Sequence, residues 1–179
     1  MSISKELRQR LVPFILTAAI ILADQITKAV IVATIEPYRI GVSLWDGFLR
    51  IIHTRNLGIA FSLGGNASGG FRAVVFTLLP IIVLGVLVLF YFKDKSLTRL
   101  QRWAVAGILG GGAGNLIDRI FRSDGVVDFI DFKFFGIFGL DRWPTFNVAD
   151  SSVVVCGILL FVSFILIKQP SGEEMKADE

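Results

Sequence analysis

Long apolar segments, separated by short polar ones, make up most of this chain. Residues 73–92 form the clearest of them, with twenty consecutive positions that carry no charge. An α-helix of twenty residues is about 30 Å long, which matches the hydrocarbon core of a bilayer. The same criterion predicts four membrane spans, at about residues 11–35, 72–92, 103–122 and 148–167. The pattern therefore indicates an all-α integral membrane protein.

The segments between the predicted spans differ in pattern. Residues 38–63 are β-branched, aromatic and partly alternating, which favours two or three short strands outside the membrane. Residues 64–70, GGNASGG, indicate a flexible turn. The aromatic stretch 126–146 is typical of an interfacial loop or helix. We expect one membrane domain over residues 1–179, with four transmembrane helices and a small extracytoplasmic β-sheet. Its extracytoplasmic parts are then residues 36–71 and 120–146.

Composition supports the membrane assignment and excludes several other classes. The chain is 54% hydrophobic and only 18% charged, with a mean hydropathy of +0.70, which is too apolar for an ordinary soluble domain. The net charge of +3 gives no indication of nucleic-acid binding. Cys156 and His53 are the single cysteine and histidine, so the sequence predicts neither an internal disulfide nor a metal site. We expect Cys156 to be a core residue.

The basic residues predict the orientation in the membrane. Lys5, Arg8 and Arg10 precede the first span, and the loop 93–102 has four basic residues in ten positions. Short loops rich in Lys and Arg stay in the cytoplasm, so both termini are expected there. The first span resembles a signal peptide, but it is long and lacks an Ala-x-Ala exit, which indicates a retained span.

Ionisable residues at membrane depth are the main candidates for chemistry. Asp24 and Lys28 are spaced i, i+4 in the first span and share a helix face. Asp118 and Arg119 lie near the end of the third span, and Asp150 lies near the start of the fourth. A charge at the bilayer centre costs about 2.5–3.5 kcal/mol on insertion scales, so such residues usually face the bundle interior and mark function. The two oppositely charged pairs, Asp24/Lys28 and Asp118/Arg119, are also explained as neutralised ion pairs that hold helices together.

Small residues precede Asn115 in the third span. Glycines at three- and four-residue spacing let helix backbones approach closely, which would bring Asn115 and Asp118 near the neighbouring spans. No Gly-Lys-Ser/Thr follows, so this is not a phosphate-binding loop. The glycines concerned are Gly107, Gly110, Gly111, Gly112 and Gly114.

Asp150 has a structural and a functional interpretation. Asn147 is a suitable N-cap, and Asp150, three residues later, can complete a capping box. Asp128, however, is predicted to lie on the same side of the membrane. Two nearby carboxylates share a proton, so that one attracts a proton from water while the other polarises a carbonyl, as in aspartic proteases. Spacing alone leaves three other acids open as members of such a pair: Asp124, Asp131 and Asp141.

Five short motifs together resemble one family, the lipoprotein signal peptidases (signal peptidase II). They occur in the family's order and cover all four predicted spans. The resemblance implies an integral-membrane aspartyl endopeptidase that cleaves the signal peptide from bacterial prolipoproteins, just before a cysteine that carries diacylglycerol. The motifs are DQITK (24–28), NLGIAF (56–61), GAGNLIDR (112–119), VVDF (126–129) and FNVAD (146–150).

The resemblance also assigns roles to residues. Asp128 and Asp150 become the catalytic pair, with Asp118 as the main rival. The supporting or substrate-binding residues are Asp24, Lys28, Asn56, Gly58, Asn115, Asp118, Arg119, Asn147 and Ala149. The stretch between VVDF and FNVAD is long for the family, which suggests an altered lid over the substrate.

The implied setting is the bacterial cytoplasmic (inner) membrane. The protein is expected to be multi-pass, with both termini cytoplasmic and the active site near the outer leaflet. The expected partners are diacylglyceryl-modified prolipoproteins and membrane lipid, with no nucleic acid, no metal and no cofactor, and the enzyme is expected to function as a monomer.

Two other functions fit parts of the sequence. A small proton-coupled transporter would use Asp24, Lys28, Asp118 and Arg119 as a relay. Most acids cluster at the outer end instead of being spread through the membrane, which disfavours a relay. A structural assembly factor would use the aromatic residues of 129–146 as a docking surface, but it leaves the acid cluster unexplained.

Overall fold

The computed structural model describes residues 5–58 and 74–166, which form helices and one small sheet. The helices are α1 (Lys5–Leu11), α2 (Phe14–Thr34), α3 (Leu79–Lys93), α4 (Arg99–Phe121) and α5 (Val148–Leu166), with a π-helical turn (Val74–Leu78) before α3. The strands are β1 (Ile40–Leu44), β2 (Leu49–Asn56), β3 (Val126–Ile137) and β4 (Leu140–Arg142).

Three helical segments among these residues are long and apolar enough to cross a membrane. They are Glu6–Thr34, Val74–Lys93 and Val148–Leu166. They match the first, second and fourth predicted spans, although residues 72, 73 and 167 lie outside the described residues. The helix at the third predicted span, α4, is less apolar because much of its surface is covered by protein.

Helix α4 lies at the centre of the bundle and packs against α2, α3 and α5. Its glycines make this possible, as the sequence predicted. A Cβ at Gly110 would lie 3.1 Å from the Thr17 backbone of α2. A Cβ at Gly111 would overlap the Ala149 carbonyl oxygen of α5. The small residues therefore bring the backbones of three helices together near Asn115.

The residues at which the helices begin depend on capping residues and on proline, which hydropathy does not show. Helix α4 begins at Arg99, four residues before the predicted start at Trp103, because Thr98 and Gln101 form a capping box. Helix α2 begins at Phe14, since Val12 and Pro13 separate it from α1.

The four strands form one antiparallel sheet in the order β1-β2-β3-β4. Strands β1 and β2 confirm that residues 38–56 form short strands, whereas 59–63 and the turn 64–70 lie outside the described residues. The interfacial loop or helix expected over 126–146 is wrong, because β3 and β4 form a hairpin there. Ile137 pairs with Leu140 across a two-residue turn in which Phe138 and Gly139 have φ values of 54° and 77°. Such φ > 0 pairs are typical of tight hairpins.

Candidate active site

Asp128 is the third residue of β3 and lies opposite Thr54 of β2. The residue is only 2% exposed. Its carboxylate accepts two side-chain amide hydrogen bonds, one from Asn56 Nδ2 at 3.0 Å and one from Asn147 Nδ2 at 2.7 Å. Asp128 is therefore held by neutral donors and has no cation in direct contact among the described residues.

Phe146 connects the strand of Asp128 to the helix of Asp150. The backbone N–H groups of Phe129 and Ile130 both donate to its carbonyl oxygen, at 3.0 and 2.8 Å. This arrangement fixes the chain just before α5 against β3, so that the two aspartates belong to one site.

Asp150 lies in the first turn of α5 and forms the capping box that the sequence predicted. Its backbone N–H donates to Asn147 Oδ1 at 2.9 Å, and its own Oδ2 accepts from the Asn147 backbone N–H at 3.1 Å. Oδ1 of Asp150 accepts from Asn115 Nδ2 at 2.7 Å. The residue is half-buried, so the cap leaves its carboxylate partly accessible to solvent or substrate.

Two asparagines link the aspartates to a buried cation. Asn147 Nδ2 donates to Asn115 Oδ1 at 3.0 Å as well as to Asp128. Asn115 Oδ1 also accepts from Lys28 Nζ at 3.0 Å, and Asn115 Nδ2 donates to Asp150. The amide of Asn147 thus contacts both candidate catalytic residues, and Asn115 connects Asp150 to the charge of Lys28.

Lys28 is the centre of a fully buried ion network. Its Nζ lies 2.8 Å from Asp24 Oδ2 and 3.0 Å from Asp118 Oδ2, and all three side chains are 0% exposed. The ion pair predicted between Asp24 and Lys28 is therefore present. Asp24 Oδ1 also accepts from the backbone N–H of Ala149 at 3.0 Å, which satisfies a free donor in the first turn of α5.

Asp118 is already fully engaged in this network, and the predicted Asp118/Arg119 pair is wrong. Besides Lys28, Asp118 accepts from Arg122 Nε at 3.0 Å and from the Val127 backbone N–H at 3.2 Å. Its ion pairs are with Lys28 and Arg122, because the i, i+4 position on a helix faces Asp118 and the adjacent position does not.

Arg119 instead follows Asn115 by four positions on α4 and is not part of the ion network of Asp118. It is half-buried, and no ion pair or hydrogen bond of its side chain occurs within the part of the chain that the structure describes. Its charge interacts electrostatically with the Asp150 carboxylate, and next with that of Asp128. Arg119 is therefore a cation near both aspartates that no contact among the described residues neutralises.

Burial changes the acidity of Asp128. The pKa of its carboxyl group is raised from 3.8 to about 6, chiefly by desolvation and to a lesser extent by the nearby Asp150 carboxylate. The hydrogen bonds from Asn56 and Asn147 and the charge of Lys28 act in the opposite direction. Asp128 therefore holds a proton more strongly than an ordinary aspartate.

Gly58 and Gln25 act through other residues. Gly58 has a φ of 90°, and its N–H donates to Asn56 Oδ1 at 2.9 Å, which turns Asn56 Nδ2 towards Asp128. The sequence analysis missed Gln25, whose Nε2 contacts Asp24 Oδ2 at 3.1 Å and Asp118 Oδ1 at 3.2 Å. Gln25 lies inside the DQITK motif, and this position was the signal in the sequence that could have identified it.

A comparison with protein families identifies the chain. The family model described as Signal peptidase (SPase) II matches residues 16–166. The chain belongs to the signal peptidase II family. All of the candidate site residues fall within the matched region.

Relatives of this signal peptidase II family member cover nearly its full length. A protein named lipoprotein signal peptidase from Treponema pallidum is 41% identical, covering 97% of this chain and 96% of its own. Another of that name from Treponema denticola is 50% identical, covering 88% and 91%. A solved bacterial membrane enzyme is similar in structure, with a TM-score of 0.74 and 32% identity, covering 88% of this chain and 94% of its own.

Proposed function

We propose that this signal peptidase II family member is an aspartic endopeptidase that removes the signal peptide from bacterial prolipoproteins, just before the diacylglyceryl-modified cysteine. Its catalytic pair is Asp128 and Asp150. The relatives named lipoprotein signal peptidase support the substrate class. The single observation that carries the residue assignment is the bridge by Asn147, whose side-chain amide donates to the Asp128 carboxylate and whose backbone N–H donates to that of Asp150.

The environments of the two aspartates suggest different starting protonation states. Asp128 is buried and has a pKa of about 6, so it is the better proton donor. Asp150 accepts from Asn115 and lies in the first turn of α5, at the positive end of the helix dipole, and we assign it the role of the base. Such differences between paired carboxylates are how aspartic proteases assign acid and base roles.

The reaction follows from these states. Asp150 takes a proton from a water molecule while the water oxygen attacks the scissile carbonyl carbon. Asp128 gives its proton to the carbonyl oxygen, so a neutral tetrahedral diol forms. Asp150 then passes its proton to the leaving nitrogen as the C–N bond breaks, and Asp128 recovers a proton from the diol. Arg119, which makes no ion pair among the described residues, contacts the substrate backbone at the entrance.

The membrane arrangement is also part of the proposal. Helix α4 is the fourth span, since its 23 residues measure about 35 Å and its polar residues Gln101, Asn115 and Asp118 are buried against protein. Both termini are cytoplasmic and the sheet lies outside, which puts the aspartates near the outer leaflet of the inner membrane. The enzyme acts as a monomer on a substrate whose acyl chains remain in the lipid.

The comparisons do not support the proton-coupled transporter. Asp24, Lys28 and Asp118, which a relay would use, hold one another in a network without exposed surface. Arg119, its fourth member, is not part of that network. Their contacts also hold α2, α4 and α5 together.

The decisive experiment is cleavage of a lipidated prolipoprotein by purified variants. We expect Asp128→Asn and Asp150→Asn each to reduce turnover by at least about 10²-fold, because neither asparagine can exchange the required proton. The product is sized by mass spectrometry, and thermal unfolding checks that each variant is folded. Asp141→Asn is the matched control, since Asp141 is exposed on β4, and it should retain wild-type turnover.

Two results would overturn the assignment. Near-wild-type turnover in either Asp128→Asn or Asp150→Asn would remove that residue from the pair. A folded but inactive Asp118→Asn, with either of the others active, would make Asp118 the missing carboxylate.

A further inference from the structure

The end of the bundle opposite the two aspartates contains a strongly cationic cavity. It has a volume of about 620 Å³, within the range of about 300–1,000 Å³ that is common for small-ligand sites. It opens between α1, the start of α2 and the chain leading into α4. Five basic residues and one carboxylate line it: Arg8, Arg10, Lys95, Arg99, Arg102 and Glu6.

Two of the cations are structural and three are available. Arg10 donates to the Phe92 carbonyl oxygen at 3.0 Å and pairs with Glu6 at 2.7 Å. Arg102 lies over the Tyr91 ring and is buried. The remaining three are exposed, and their side chains make no hydrogen bond or ion pair among the described residues: Arg8, Lys95 and Arg99. The one carboxylate of the cavity is therefore already used.

The first turn of α4, which carries two of these basic residues, also favours an anion in the cavity. Helices favour acidic residues in the first turn, because the dipole is positive there. Helix α4 has no acidic residue in this turn, and it has Arg99 and Arg102 instead. An anion bound in the cavity would offset this unfavourable arrangement.

Apolar side chains also line the cavity, which fits an anion that is attached to lipid. Val12, Leu97 and Trp103 line it together with the cations. Arg10 lies shortly before the apolar helix α2 and Lys93 ends the apolar helix α3, so the cavity lies where a membrane surface would meet the bundle. Tryptophan and basic residues are the usual anchors at that depth.

We propose that this cavity binds the phosphodiester headgroup of an anionic phospholipid from the leaflet opposite the catalytic aspartates. Arg8, Lys95 and Arg99 contact the phosphate, and the apolar wall contacts the glycerol and the first methylenes. The site is separate from the candidate active site, since α4 spans the distance between them.

Thermal unfolding in a zwitterionic detergent tests this. Short-chain phosphatidylglycerol is added to the full-length protein, with phosphatidylcholine of the same chain length and inorganic phosphate as separate arms. We expect phosphatidylglycerol to raise Tm by roughly 5 °C at about 100 times its Kd. The other two additives should cause little change. Lys95→Gln/Arg99→Gln should lose most of the shift, and Arg39→Gln/Lys133→Gln, which removes two exposed cations at the other end, should retain it.

Any other pattern of Tm shifts counts against the proposed lipid site. An equal shift with phosphatidylcholine would mean that the headgroup charge is not recognised. An equal shift with inorganic phosphate would make this a site for free anions. An unchanged shift in Lys95→Gln/Arg99→Gln would place the lipid elsewhere. If that variant does not fold, Arg8→Gln/Lys95→Gln provides the same comparison without altering α4.

Discussion

At the scale of single residues, Asn147 contacts both candidate catalytic residues. Its side-chain oxygen caps α5 through the Asp150 N–H, and its side-chain nitrogen donates to Asp128. One planar amide therefore couples the start of a helix to a strand residue. Because the side-chain amide carries no charge, it orients the Asp128 carboxylate without neutralising it, while the Asn147 backbone N–H orients the Asp150 carboxylate.

The raised pKa of Asp128 predicts a pH-dependent cost to stability. The unfolded chain releases this proton near pH 3.8, whereas the folded protein keeps it up to about pH 6. The native state therefore binds more protons in this window, and stability falls as pH rises through it. The loss reaches about 3 kcal/mol above pH 6. We expect the Tm of Asp128→Asn minus that of wild type to become more positive between pH 4 and pH 7.

The control for this measurement is Asp141→Asn. Asp141 is exposed, so its difference in Tm from wild type should stay nearly constant over the same range. A difference for Asp128→Asn that does not change with pH would mean that Asp128 titrates normally in the folded protein.

The position of Lys28 predicts non-additive energetics. Lys28→Met leaves Asp24 and Asp118 buried without their shared cation, and we expect a loss of about 3–5 kcal/mol. Asp24→Asn/Lys28→Met removes one of the two stranded charges. This double variant should therefore be more stable than the sum of the single losses implies, as measured by thermal unfolding in detergent.

A surface pair provides the comparison for Lys28. Glu6 and Arg10 are also spaced i, i+4 and 2.7 Å apart, but Glu6 is largely exposed. Glu6→Gln should cost no more than about 1 kcal/mol. Strictly additive losses in the buried cycle would contradict the shared-cation model.

At the scale of elements, α4 shows how glycines determine where the polar residues meet. Gly111 lies against the Ala149 carbonyl oxygen and against Val153 of α5. We expect Gly111→Ala to lower stability by about 1–3 kcal/mol, because the added methyl forces α5 away from α4. Turnover should fall as well, since Asn115 and Asp150 are bonded across this same contact.

Gly157 is the matched control because it also lies within a packed helix, but a Cβ there meets nothing within 4 Å. Gly157→Ala should be neutral or stabilising, by up to about 1 kcal/mol. Thermal unfolding compares the stability of the two variants, and the cleavage assay compares their turnover. Equal behaviour of both variants would show that close approach at Gly111 does not position the site.

At the scale of the whole molecule, periodicity and motif order predicted the helices better than they predicted local geometry. The apolar runs predicted α2, α3 and α5, and the spacing of Asp24 and Lys28 predicted their ion pair. The β3–β4 hairpin was missed because aromatic residues are equally typical of strands and of membrane interfaces. The Arg122 partner of Asp118 was missed because Arg119 is closer in sequence, although the helical repeat places Arg122 on the correct face.

The direction in which the bundle crosses the membrane leads to the last prediction. Basic residues are dense at the end of the bundle that carries Lys95, and the sheet with Ser43 lies at the end that carries the two aspartates. In a Cys156→Ala background, Ser43→Cys should react with a membrane-impermeant thiol reagent in intact cells, whereas Lys95→Cys should react only after permeabilisation. Both positions are exposed in the folded protein, so the difference in labelling reports the side of the membrane. The reverse pattern would put Asp128 and Asp150 on the cytoplasmic side, out of reach of an exported lipoprotein, and would reject the proposed site together with the topology.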